Sequence, residues 1–150
     1  MEQKDIKSVI GRETLPKTIT VEQGQLQFFA KATGASDKLY WDVEAAKAAG
    51  HPAIPAPPTF LMCLDSLCPS KEASILAYLG VDIGKILHGE QRFSYAEPIY
   101  AGDEITFTSV VLDAYDKKGG ALQFIVSEAQ AVNQNGKTVG TMTNTLVIRN

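Results

Sequence analysis

The chain has 150 residues, 45% of them hydrophobic, and a net charge of −3. That length fits one domain with a real core. The absence of a basic run argues against nucleic acid or an anionic membrane surface as a partner. No apolar run approaches the ~18 residues of a membrane span, and the opening MEQKDIKSVIGRE lacks the apolar stretch of a secretory leader.

In chain order, residues 1–19 are weakly patterned, with Leu15-Pro16-Lys17-Thr18-Ile19 reading as a short edge strand or an extended arm. Thr20 to Gln23 has the form of a capping box. A helix is predicted from there to about Thr33, with Leu26, Phe29, Ala30 and Thr33 on one face and Gly34 as its stop. Ala35 to Trp41 is a loop. Asp42 is placed to cap a short helix over 43–49, which Gly50 ends. The passage HPAIPAPP, residues 51–58, is extended. It leads into a central helix, with Pro57 or Pro58 in the first turn. Phe60, Cys63, Leu64 and Leu67 form one stripe of that helix, and Leu61, Met62 and Cys68 add apolar surface on its other sides, so a helix buried all round is expected up to Pro69. A further helix is predicted within 70–79, capped by Ser70 and stopped at Gly80.

From Lys85 the period changes to two. Strands are predicted over 86–95, 104–112, 122–132 and 138–148, with hairpin connections at Lys117-Lys118-Gly119-Gly120 and at Asn135-Gly136. The expected fold class is α+β, a single domain over 1–150 with a central helix wrapped by an antiparallel sheet. Cys63 and Cys68 point to different sides of the central helix at ~100° per residue, so they are not expected to pair. Free thiols fit a reducing, cytoplasmic setting.

Candidate chemistry is sparse. His51, in the proline-rich loop, reads as a solvated residue. His88 reads as a hydrogen-bonded structural histidine, with Gly89 marking a close backbone approach. The two cysteines and two histidines match no zinc spacing, so no metal is expected. A cysteine on a buried apolar helix behaves as a small hydrophobe. Asp37 and Asp42 read as a turn residue and an N-cap, and Glu90 as a strand-face residue. Composition and spacing alone assign no reaction.

The order of parts carries more. A helix ends in Ala32-Thr33-Gly34, and Tyr40-Trp41-Asp42 and Ala45-Ala46 follow. Next come Ala56-Pro57-Pro58-Thr59-Phe60, then His88-Gly89-Glu90-Gln91, then the turn from Pro98 to Asp103. Over residues 8–149 this resembles the MaoC-like branch of the hot-dog fold. Within that branch it is most similar to the FAS1-like dehydratase type. The subunit of mycobacterial (3R)-hydroxyacyl-carrier-protein dehydratases that accompanies a separate catalytic subunit is of this type. The resemblance implies a lyase family of fatty-acyl metabolism that hydrates trans-2-enoyl thioesters or dehydrates (R)-3-hydroxyacyl thioesters, on CoA or acyl carrier protein, with no metal or redox cofactor. It also implies hot-dog domains working in pairs around a shared substrate tunnel.

Active members of that family carry Gly-Asp-x-Asn-Pro-x-His, whose Asp and His share the acid–base work. A backbone N–H at the start of the central helix meets the thioester oxygen. Laid on this chain, Gly34 matches the Gly, while Ala35, Asp37, Lys38 and Tyr40 fall at the Asp, Asn, Pro and His. Alanine moves no proton, and a tyrosine, with an ordinary pKa near ~10, is a poor base at neutral pH. Pro57-Pro58 stands where active members have His-Gly, and proline has no N–H to donate.

The resemblance therefore implies a subunit that binds substrate and lacks the catalytic pair, with a second hot-dog subunit supplying it. Tyr40, Trp41, Thr59, Phe60, Met62 and Cys63 are the candidate substrate-binding residues, with Leu61 and Leu64 beside them on the helix. Two alternatives stand beside it. One is a homodimeric acyl-thioester binding protein without chemistry. The other is a divergent hydratase or thioesterase that uses His88 and Glu90.

Overall fold

Alternation of apolar and polar residues in the second half of the chain produces β2 (Ile86–Tyr95), β3 (Glu104–Lys117), β4 (Leu122–Val132) and β5 (Thr138–Arg149). With β1 (Lys17–Thr20) they form one antiparallel five-stranded sheet in the order β1-β3-β4-β5-β2. The computed structural model describes residues 4–150; residues 1–3, at the start of the weakly patterned opening, lie outside the described residues. The connection from β1 to β2 carries α1 (Gln23–Ala32), α2 (Val43–Ala48), α3 (Phe60–Leu67) and α4 (Ile75–Leu79). No helix among the described residues is long and apolar enough to cross a membrane.

The predicted meander is present as β3-β4-β5, and of the Leu15–Ile19 segment the part from Lys17 onward lies in the edge strand β1. At Asn135-Gly136 the glycine takes φ 74°, which a hairpin turn of this kind requires. β3 runs past its expected end at Leu112 to Lys117 because a bulge between Val111 and Asp113 takes up the break in alternation. Asp42 caps α2 by accepting from the amides of Glu44 and Ala45 at 2.9 and 3.0 Å.

Three local expectations are corrected. The Thr20–Gln23 capping box does not form. Thr20 is drawn into β1 opposite Glu104, and Glu22 stands at the helix start without a side-chain cap bond. The helix expected from Ser70 begins only at Ile75, and Ser74 caps it through the Ala77 amide at 3.1 Å. Ser70 instead holds a local turn with Glu72. Pro57 and Pro58 also precede α3 rather than joining it, with the Phe60 amide donating to the Pro57 carbonyl at 2.9 Å.

α3 is buried on one side only. Phe60, Leu61, Leu64 and Cys68 are inside, whereas Leu67 is 53% exposed and Met62 and Cys63 are half-buried. The buried side meets Phe107, Ala129, Ala131 and Met142 of the sheet in the main core. A second core lies further along the sheet. There Ile6 and Val9, on a 3-10 turn the sequence did not announce, join Leu79, Val111, Ile125 and Ile148.

The closest approach in the main core is at Gly140. A Cβ there would lie 2.8 Å from the Ser94 carbonyl oxygen and 3.3 Å from Leu61 Cδ2. Gly140→Ala is therefore expected to lower stability by about 1–3 kcal/mol, through overpacking. Gly24, helical and with open space around its Cβ position, is expected to move the other way on substitution by Ala, by roughly 0.4–1 kcal/mol. Denaturant midpoints of the two variants check both signs.

Candidate functional site

The proline-rich passage is pinned in place before it becomes a helix. Pro55 bridges to Tyr100, the Ala56 amide donates to the Ile99 carbonyl at 2.7 Å, and the Ala101 amide donates to the Ile54 carbonyl at 2.9 Å. This pairing brings His51 to Tyr100, 49 residues away in sequence. The imidazole Nδ1 and the phenol oxygen share a hydrogen bond at 3.1 Å. Together with Tyr40, Pro58, Tyr95 and Glu97, His51 lines a cleft of about 420 Å³ at the start of α3. Burial pushes the Tyr95 phenol up from its ordinary value, so it is a neutral hydroxyl at pH 7. His51 is thus half-buried and hydrogen-bonded, not the solvated loop residue expected from sequence. No periodicity joins it to Tyr100; the bridge at Pro55 does.

The cleft is lined by one imidazole, His51, and one carboxylate, Glu97, and no hydrogen bond joins the two. Ala35 does not reach it. With Gln27, Lys31 and Trp41 it lines a separate groove. Asp37 is occupied in capping a turn through the Leu39 amide at 3.1 Å. The prolines at 57 and 58 remove two amides from the helix start. Thr59 is exposed, and its side chain makes no cap bond.

The remaining candidates are divided among other places. Phe60, Met62 and Cys63 line an apolar groove of about 690 Å³ between α1 and α3, where Phe29 packs edge-on to Phe60 with ring centroids 5.0 Å apart. Phe28 stands at this groove, 75% exposed. Trp41 shares the groove of Ala35. The six residues expected to bind substrate together therefore fall into several surfaces around α3, with Tyr40 alone in the cleft at its start.

His88 corrects a further expectation. It is exposed and makes no hydrogen bond among the described residues, so it is not a structural histidine held by a partner; it stands at the edge of a chamber of about 180 Å³ lined also by Asp65, Ser66, Gln91 and Asn144. The close approach at Gly89 is present: a Cβ there would lie 2.8 Å from Val147 Cγ2. The resulting bulge separates His88 from Glu90, whose carboxylate pairs with Arg92 at 2.8 Å on the surface. No hydrogen bond joins the two. Both cysteines are free. Burial raises the pKa of the Cys68 thiol, with Lys17 opposing and Asp65 adding to the shift. Among the described residues, no group of three or more His, Cys, Asp or Glu is arranged to hold a metal ion.

Residues 8–142 match the family described as FAS1-like, dehydratase domain region. The chain belongs to that family. It is 36% identical over 145 residues to a UPF0336 protein of Streptomyces coelicolor, covering 95% of this chain and 94% of that one. A UPF0336 protein of Clavibacter michiganensis is 37% identical over 131 residues, covering 86% of this chain and 85% of the other. Among solved structures, the HadBC (3R-hydroxyacyl-ACP dehydratase) complex of Mycobacterium tuberculosis has a chain that is 25% identical. It superposes with a TM-score of 0.77 over 97% of this chain and 99% of the other. A MaoC-like dehydratase superposes with a TM-score of 0.80 over 97% of this chain and 43% of that one, at 21% identity. The α+β architecture described above is accordingly the MaoC-like hot-dog fold.

The unequal surroundings of the two thiols give a direct check on α3. N-ethylmaleimide applied to the native protein is expected to modify half-buried Cys63 well before Cys68, whose burial and raised pKa both slow it. Peptide mapping after a short exposure reads the order, and equal labelling would contradict the placement of α3.

Proposed function

We propose that this chain is the substrate-binding half of an (R)-specific enoyl-thioester hydratase or 3-hydroxyacyl-thioester dehydratase, and that a second hot-dog subunit brings the Asp and His. The observation that carries this is the composition of the cleft at the start of α3. Tyr40 is in it, Ala35 faces another groove, and the prolines at 57 and 58 leave no N–H at the positions of the active motif. The substrate would be an acyl thioester of CoA or of acyl carrier protein, and no metal or redox cofactor enters the reaction.

Two observations support a partner. The outer side of β2, a ten-residue strand, is unpaired in the sheet order, and an exposed edge of that length invites a strand from another chain. The HadBC and ChsH1-ChsH2 structures of Mycobacterium tuberculosis, both similar in fold, are complexes. A homodimer that only binds thioesters uses the same edge, and copurification of a subunit with the intact motif distinguishes the two.

A second reading has a specific observation in its favour. His51 is the one imidazole in the cleft, hydrogen-bonded to Tyr100, so any hydration by the chain itself would run through His51 rather than His88. The test is crotonyl-CoA hydration, followed by loss of enoyl absorbance, with a longer enoyl-CoA alongside. The purified chain alone is expected to show no turnover above the buffer rate. Turnover that falls ~10²-fold or more in His51→Ala, and is unchanged in His88→Ala, would replace the first reading with the second.

A further inference from the structure

The face of the sheet under α3 is interrupted by polar residues. On β4 the inward row runs Ile125, Ser127, Ala129, Ala131, and on β5 it runs Met142, Asn144, Leu146, Ile148. Ala129, Ala131 and Met142 belong to the main core, and Ile125 and Ile148 to the second. Ser127 and Asn144 are paired across the strands between those cores, and Gln91 of β2 pairs with Asn144 on the other side. A polar row thus crosses three strands between two apolar clusters. Above it stand Asp65 and Ser66 of α3, with the exposed His88 of β2 at the edge, and the space between them is about 180 Å³.

Asp65 and Ser109 already have partners, while His88 and Ser127 make no hydrogen bond among the described residues. Lys17 Nζ meets an Asp65 carboxylate oxygen at 2.9 Å and its carbonyl oxygen at 2.6 Å. The Ser109 hydroxyl bonds that of Thr14 at 3.2 Å. Asn144 differs from His88 and Ser127 in that its unpaired atom is buried. Its Nδ2 donates to Gln91 Oε1 at 3.2 Å, while its Oδ1 is buried without a partner. Turning both amides end for end changes which end of Asn144 is left over, but one is always left. An unpaired buried amide end is destabilising, and a hydroxyl, both donor and acceptor, satisfies either orientation.

We infer that this chamber is a binding site for a hydroxyl group carried on the acyl chain, several carbons from the thioester. The inference rests on the acyl-thioester reading above. With the thioester at the start of α3, Ser66 lies six residues along the helix, on the order of 9 Å away. That is the reach of a medium-length acyl chain. The chamber is smaller than the ~300 Å³ at which ligand pockets usually begin, so it takes a short polar segment of a ligand rather than a whole one. A purely saturated chain would have to leave the Asn144 end unpaired. The favoured acyl class is therefore oxygenated.

The test is a binding comparison between octanoyl-CoA and ω-hydroxyoctanoyl-CoA by calorimetry, on the protein as isolated with any copurifying hot-dog subunit. Wild type is expected to prefer the hydroxylated compound roughly tenfold. Asn144→Leu, close in size and apolar, is expected to abolish or reverse that preference and to melt no lower than wild type without ligand, since it removes the unpaired group. Equal binding of the two compounds by wild type overturns the inference and leaves the thioester reading intact. So does a preference that survives in Asn144→Leu or, should that variant fold poorly, in Ser127→Val. If neither compound binds to folded protein, the thioester reading itself falls, and this inference with it.

Discussion

The contact between Leu61 and the bare backbone at Gly140 sets how α3 sits on the sheet. With Leu61 Cδ2 only 3.3 Å from where a Cβ at Gly140 would be, the helix lies close against β5. Its buried side is then fixed as Phe60, Leu61, Leu64 and Cys68. The remaining faces of the helix are oriented by that rotation. Met62, Cys63 and Leu67 turn toward α1 and form the apolar groove. Asp65 and Ser66 turn over the polar row of the sheet. The helix start is delivered to the cleft of Tyr40 and His51. Hydrophobic packing in a close-packed core, not the helix's own propensity, chooses among these orientations.

Strands and stops were legible in the sequence because their signals are local. Alternation gave β2 its bounds, Asn135-Gly136 gave the last hairpin, and Asp42 gave the start of α2. Local signals failed where a tertiary contact competed. Thr20 carries the chemistry of a cap, yet pairing with Glu104 draws it into β1. An apolar stripe counted at helical spacing included Leu67, which the packed helix leaves 53% exposed. Nothing in composition ranks Leu61 above Leu67 as a core residue, since that depends on a glycine 79 positions further along the chain.

The candidate site divides in the same way. The residues that the resemblance lays at the motif's Asp and His positions, Ala35 and Tyr40, could be read directly from the sequence. The positive contents of the site were not. His51 and Tyr100 meet through a bridge between two irregular segments, a kind of contact that has no sequence period. His88 drew attention by its neighbour Gly89. The glycine proved to matter for its approach to Val147, while the exposed histidine stands at the edge of the chamber of Asn144 and Ser127. Ser127 and Asn144 did leave a trace, as polar residues at inward positions of alternating strands. That trace acquires meaning only when the two cores on either side of them are known.

The two ends of α3 therefore present different chemistry to anything lying along it. At the start, prolines at 57 and 58 withhold two amides, and no hydrogen bond joins the cleft's imidazole to the Glu97 carboxylate. At the far end, Lys17 neutralises Asp65 and an amide end of Asn144 is left to be bonded. On the proposed reading, an acyl thioester placed along the helix meets recognition without proton transfer. Binding that is equal for ground state and transition state lowers no barrier. A chain that keeps recognition and lacks the acid–base pair gains a role in catalysis only when another subunit applies that pair to the same thioester. On that reading, the long unpaired edge of β2 offers room for one.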